Sequence, residues 1–171
     1  VKLIMLMAQT ADGKIAKSKD HFANWTSKED KKHFINFTKS HKVIIMGEST
    51  FNTIKKPLPG RLNLILSKNP EKYSNLQKLG TLEFVNLRPK QVVDYLVNKG
   101  FKSAILGGGS YTNASFLNAG LVDEIILTTE GILFGQGFGM CEGLKNDIKL
   151  NLLDAEILSN KTYLTHWEVL K

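Results

Sequence analysis

The sequence predicts an α/β fold, a three-layer sandwich whose central sheet is mainly parallel and closes in a C-terminal antiparallel hairpin. Three observations predict it. Apolar runs of four or five residues recur, such as Val43 to Met46 and Ser103 to Leu106. They are too short for ordinary helices and apolar on both faces, as strands covered on two sides must be. Glycine turns separate two of these runs from the helices that follow, at Gly47 and at Gly107-Gly108-Gly109. The tail alternates on either side of Ser159-Asn160-Lys161, which is the pattern of a hairpin. Buried strands joined through helices, then a hairpin, make an α/β sheet with an antiparallel edge.

Lys2 to Ala8 is the first buried strand. Gln9 to Asn24 is long for a connection inside a compact domain, and the expectation is a loop that acts as a lid. Thr26 to Thr38 reads as a helix with two overlapping capping boxes, Thr26 with Glu29 and Ser27 with Asp30. If Thr26 is the cap, Asp30 shares a face with Phe34 and Phe37 and points a carboxylate along the apolar side. A carboxylate placed there has a partner or serves a ligand. If Ser27 is the cap, Asp30 is a plain capping aspartate.

Val43 to Met46 is the next strand, and Glu48, Ser49 and Thr50 open a short helix after Gly47. Pro57, Pro59 and Gly60 close that helix and deliver Arg61 to the start of the strand Leu62 to Leu66. Asn69 to Gly80 is a loop with one helical turn, and Thr81 to Val85 is a strand. Pro89 to Lys99 is an amphipathic helix stopped by Gly100. After the strand Ser103 to Leu106, the triple glycine leads into a helix from Ser110 to Ala119. Glycines there allow close approach of a phosphate and leave amides free for it, although a tight strand-to-helix turn requires glycine as well. Gly120 ends the helix, and Leu121 to Thr129, Ile148 to Leu158 and Thr162 to Leu170 complete the strands.

With 171 residues, 42% of them hydrophobic, the chain is expected to form one domain, 1–171, that buries its core without disulfides or metal. Cys141 is the only cysteine. No cysteine cluster for a metal follows, and none is expected. No apolar run reaches a membrane span, and Val1 to Ala8 lacks the flanks of a signal peptide, so a cytoplasmic protein is expected. The net charge of +7 is spread over scattered lysines with only two arginines, Arg61 and Arg88. That favours anionic small molecules over nucleic acid. A monomer is expected, with a homodimer as the alternative.

The run VIIMGESTFNTIKKPLPGRLNLILSKNP resembles the central signature of the dihydrofolate reductases, and WTSKEDKKHFINFT resembles the helix that precedes it. LGGGSYTNASFL and the strand ending at Thr128 resemble that family's cofactor turn and following strand, so the likeness covers nearly the whole chain. It implies a dihydrofolate-reductase-like fold and NADPH-dependent reduction of dihydrofolate, a small-molecule substrate. The family's buried catalytic acid falls on Asp30, where a carboxylate would accept two hydrogen bonds from the pterin edge. Arg61 falls on the arginine that grips the α-carboxylate of the glutamyl tail, a task suited to its planar fork. Leu6, Ala8, Phe34, Ile54, Leu58, Leu106 and Thr128 would line the substrate cleft.

By the same resemblance Ala8, Ile15 and Ala16 would flank the nicotinamide, and Gly47, Glu48, Ser49 and Thr50 the pyrophosphate and ribose. Leu66, Ser67 and Lys68 would reach the adenosine end, and Gly107, Gly108, Gly109, Ser110, Tyr111 and Thr112 would complete the phosphate cradle. Two positions depart from the pattern. Glu48 stands where family members often carry a basic residue for the 2′-phosphate of NADPH, with Lys68 placed to restore the attraction. Tyr111 stands one residue before the family's tyrosine, leaving Thr112 in that slot.

A relative of the same fold competes. TADGKIA, WTSKED and FLNAGLVDEIILTTEGILFGQG resemble the reductase domain of riboflavin biosynthesis, which reduces a phosphoribosylaminouracil with NADPH. There Asp12 and Lys14 would belong to a substrate loop. PLPGR favours the folate enzyme; Gln136 after Gly135, where many folate reductases carry an acid, favours the rival. A catalytically silent nucleotide-binding module is the third alternative.

Overall fold

The computed structural model describes residues 1–171. In chain order the elements are β1 (Lys2–Thr10), β2 (Lys14–Ala16), α1 (Lys28–His41), β3 (Val43–Gly47), α2 (Glu48–Ile54), β4 (Leu62–Leu66), β5 (Leu82–Val85), α3 (Pro89–Asn98), β6 (Ser103–Leu106), α4 (Ser110–Asn118), β7 (Glu124–Glu130), β8 (Phe138–Gly139), β9 (Leu150–Ser159) and β10 (Thr162–Val169). One 3-10 turn, Pro70–Tyr73, follows β4. The main sheet runs β5-β4-β3-β6-β1-β7-β10-β9. Every neighbour pair from β5 to β7 is parallel, and β10 and β9 add antiparallel. The expected α/β class and C-terminal hairpin are therefore present.

Successive strand residues face opposite sides, and here both sides are dry. Leu3, Met5, Val43, Ile45, Leu62, Leu64 and Leu106 pack under Val92 and Leu96 of α3 and Phe116 of α4. Ile4, Leu6, Ile44, Met46, Ile65 and Ile105 pack on the other side against Phe51 of α2 and Phe34 and Phe37 of α1. Each such aliphatic side chain contributes roughly 1.5–3 kcal/mol by leaving water. That double burial is why the strands read as unbroken apolar runs. It is also what fixes the sheet as the platform from which α1 and the turns after β3 and β6 project.

Four expectations are resolved or corrected. The cap of α1 is Ser27, whose hydroxyl accepts the Asp30 N–H at 3.1 Å. The Ser27–Asp30 spacing is thus the one used, yet the Asp30 side chain still turns inward, 9% exposed. The helix also runs on to His41, past Thr38, and stops at Lys42 in the left-handed region. No breaker stands before that point, and His41 Nδ1 lies 2.7 Å from Ser103 Oγ, which holds the last turn to the sheet. The segment Gln9 to Asn24 is not all loop: β1 extends to Thr10, and β2 pairs antiparallel with β8. Gly137 makes that pairing possible, since a Cβ there would stand 2.2 Å from the Ala16 carbonyl oxygen. Finally β7 begins at Glu124 instead of Leu121, because Gly120 at φ +66° turns the chain and Leu121 N–H closes back on Phe116 O.

Candidate active site

Asp30 sits in the first turn of α1, beside the end of β7. Burial raises its pKa above the ordinary carboxylate value; the hydroxyls of Thr128 and Thr26 draw it partly back, and the Glu130 carboxylate pushes it up again. Thr128 is fully buried, and its Oγ1 completes no hydrogen bond within the protein, close as it is to Asp30. Trp25, in the turn that leads into α1, also leaves its Nε1 buried and unpaired. Buried polar atoms are seldom left so. A carboxylate, a hydroxyl and an indole N–H without full partners are what a polar heterocycle would satisfy. The apolar walls are Phe34 of α1, Ile54 of α2, Leu58 and Leu6, all packed with the core on the α1 and α2 side. Ala8 is paired with Thr128 in the β1–β7 register. Leu106 does not join them through its side chain, which is fully buried under α3 and α4 on the opposite face.

Arg61 is 6% exposed, and its guanidinium is held from inside. Nε and Nη2 donate to Pro59 O at 3.1 and 3.0 Å, and Nη1 donates to Thr38 Oγ1. Thr38 in turn donates to Phe34 O at 2.6 Å. The turn that carries Arg61 is shaped by Asn63, a fully buried residue. Its Nδ2 donates to Leu58 O, Arg61 O and Thr81 O, and its Oδ1 accepts from Leu58 N–H at 2.8 Å. An asparagine inside the apolar strand LNLIL was the signal for it, since a buried amide must be saturated.

The two glycine turns abut at the carboxyl ends of β3 and β6. Gly47 N–H donates to Gly108 O at 2.7 Å. A Cβ at Gly47 would stand 2.6 Å from Thr112 Oγ1, one at Gly107 2.8 Å from Ile44 Cδ1, and one at Gly109 3.1 Å from Thr50 Oγ1. Only bare backbone fits here. Helix α4 has no side-chain cap, so its first amides remain open to an anion. Ser110 contributes its backbone alone: its hydroxyl donates to Gly139 O at 2.6 Å and accepts from Glu142 N–H at 2.7 Å. Thr112 faces Gly47, whereas Tyr111 is 63% exposed and lies against Gly143. Ser49 and Lys68 are exposed, and Leu66 packs with the core under α3 and α4. Glu48 accepts from Ser67 Oγ and from Tyr73 OH, each at 2.6 Å, and those bonds lower its pKa.

Ile15 and Ala16 lie half-buried on β2, in the segment between β1 and α1. This segment is latched. Asp12 accepts from Thr10 Oγ1 and from the N–H groups of Phe134 and Gly135, which drops its pKa to about 2. Phe134 then lies edge-on to Trp25 and His21 with Lys17 over its ring. Both Asp12 oxygens are engaged in this latch, within the segment that the riboflavin-type resemblance makes a substrate loop. Asp12→Ala should leave the far-ultraviolet dichroism unchanged and speed tryptic cutting at Lys17 and Lys19 severalfold; unaltered cutting would mean that the latch does not restrain the segment.

Glu130 was not expected at the site. It is buried, and it accepts from Ser27 N–H at 2.8 Å and from Thr162 Oγ1 at 2.7 Å, tying the start of α1 to β7 and β10. An acid after Thr128 and Thr129 at the end of β7 was its only trace in the sequence. Glu130→Gln keeps both bonds possible and removes a like charge beside Asp30, while His33, which acts in the opposite sense, is untouched. The Asp30 pKa should fall. A carboxylate titration followed by NMR that stays in place would remove Glu130 from the electrostatics.

A family model for dihydrofolate reductase matches residues 2–129. The dihydrofolate reductase type 3 of Salmonella typhimurium is 39% identical over 69 residues, 40% of this chain and 41% of that protein. The chain spans about two fifths of the length of the first curated relatives it matches. The structure of dihydrofolate reductase from Enterococcus faecalis, complexed with NADP(H), superposes with a TM-score of 0.74 at 20% identity over 99% of this chain and 97% of that one. A deaminase/5-amino-6-(5-phosphoribosylamino)uracil reductase from Thermotoga maritima reaches 0.81 at 15% identity over 99% of this chain and 56% of that one. Those two likenesses establish a shared fold. With the family model spanning β1 through β7, the inward acid on α1 and the paired glycine turns included, the chain belongs to the dihydrofolate reductase family.

Proposed function

We propose that the protein is an NADPH-dependent oxidoreductase that reduces 7,8-dihydrofolate to 5,6,7,8-tetrahydrofolate. The observation that supports it most is the inward Asp30 carboxylate beside the unpaired Thr128 hydroxyl. Asp30 accepts two hydrogen bonds from the amidine-like edge of the pterin and, by its charge, favours a proton on the ring. Thr128 lends its hydroxyl to the same edge. Phe34, Ile54 and Leu58 hold the substrate between α1 and α2, and Arg61 takes the glutamyl carboxylate.

The backbone cradle at Gly47 and Gly107 to Gly109 fits a pyrophosphate, and Ala8, Ile15 and Ala16 border the place for a nicotinamide. Bound there, the cofactor supplies the hydride. The chain's own residues contribute orientation, exclusion of water under the lid, and the electrostatics of Asp30.

A second reading, reduction of a phosphoribosylaminouracil, draws support from the TADGKIA lid and from the glycine-rich segment Phe134 to Gly137 that it latches. Loss of nicotinamide absorbance with dihydrofolate, abolished by methotrexate, is the expected result. Turnover with the pyrimidine ribose phosphate alone would replace the folate assignment, and nucleotide binding without either turnover would make the protein a binding module.

A further inference from the structure

Resting on that cofactor assignment, we propose that Glu48, Ser67 and Tyr73 form a specificity site for an unphosphorylated adenosine ribose, so that the protein binds NADH at least as tightly as NADPH.

The sheet order puts the cluster where that ribose must lie. Strands β4, β3, β6 and β1 are consecutive neighbours. The phosphate cradle occupies the ends of β3 and β6, and the nicotinamide side lies toward β1. The adenosine half therefore extends the other way, over the ends of β3 and β4. Gly47 and Leu66 are paired in that register, so the next residue along each strand is Glu48 and Ser67.

What the cluster offers there is acceptors. Ser67 Oγ donates to Glu48 Oε2 and Tyr73 OH to Glu48 Oε1, each at 2.6 Å, and a hydroxyl has one proton to give. Ser67 also accepts from Asn69 N–H at 3.1 Å. The hydroxyl donors that would grip a phosphate are thus turned onto the carboxylate. A carboxylate has about four acceptor positions, and two are taken. The remaining two match the 2′- and 3′-hydroxyls of a ribose, which are donors. A 2′-phosphate is acceptor-only and dianionic, and meets lone pairs and a like charge.

Glu48 is also not free to withdraw. Tyr73, which holds it, stacks on the buried Phe84 at 4.2 Å with 4° between the rings. No lysine forms an ion pair with Glu48. Lys72 lies near enough for its charge to act on Glu48, and Lys68 is exposed beside Ser67; these two cations keep NADPH usable.

Calorimetric titration of the full chain with NADH and with NADPH tests this without turnover. The expected result is a Kd for NADH equal to or below that for NADPH. In Glu48→Gln the ratio should swing roughly tenfold toward NADPH, the size expected for a hydrogen bond to a charged group. Tyr73→Phe, which keeps the stacked ring, should weaken NADH severalfold. A wild-type preference for NADPH, or a ratio unmoved by Glu48→Gln, would overturn the specificity site and leave the cofactor assignment standing. Failure of both dinucleotides to bind would overturn the two together.

Discussion

Asp30→Asn should lower the turnover of dihydrofolate at neutral pH by about two to three orders of magnitude and make the remaining rate climb as the pH falls. Asparagine keeps the size and one acceptor, so the pterin can still be held. What it loses is the negative charge that favours a protonated ring. The variant must then draw on substrate protonated in solution, and its rate follows that small fraction. A wild-type pH profile in the variant would remove Asp30 from the protonation of the ring.

The same substitution carries a stability signature of opposite sign. Burial raises the Asp30 pKa above its unfolded value. The folded state therefore binds the proton more tightly than the unfolded one. Its contribution to stability is complete below about pH 4 and is lost as the pH rises through the raised value. Asp30→Asn removes that loss, so the variant should melt at a higher temperature than the wild type at pH 7, with the gap closing in acid. A residue whose removal stabilises the fold and abolishes turnover is held in place for function. A merely structural role would give a lower melting temperature and an unaltered rate.

How much of this was legible in the sequence depends on how local each cause is. Val43 to Met46, the glycine turns and the hairpin follow from runs and turn residues within a few positions, and the structure has them. The cap of α1 does not. Two boxes fit the sequence equally well, and Ser27 is selected where its N–H meets Glu130, 103 positions away. Strand β2 is three residues long and exists through β8, far along the chain, and through the missing side chain of Gly137. The face of Leu106 was hidden for a related reason. Ser103 to Leu106 is flanked by helices on both sides, so its apolar pattern does not say which residue looks toward α1. Site residues that depend on pairing partners leave little local trace: Asn63 is one polar letter in an apolar run, and Glu130 is one acid after two threonines.

Arg61→Lys should raise KM for dihydrofolate by on the order of a hundredfold and leave both kcat and the KM for a tail-less pterin close to wild type. The guanidinium has five N–H donors in a planar fork. Three of them are engaged inside the protein, two on Pro59 O and one on Thr38 Oγ1, which locks the plane. Two are left over, one on each terminal nitrogen, and bidentate capture of a carboxylate draws on such a pair. Lysine offers a point charge with no fixed plane and cannot hold Pro59 and Thr38 as well. Folding stability should also drop by about 1–3 kcal/mol, because buried acceptors lose their donors. The turn itself should survive, since Asn63 holds Leu58 and Arg61 through their backbone atoms whichever side chain stands at the position. The comparison between tailed and tail-less substrates is therefore decisive: an equal rise for both would mean that the substitution had disturbed the cleft, and would take the glutamyl carboxylate away from Arg61.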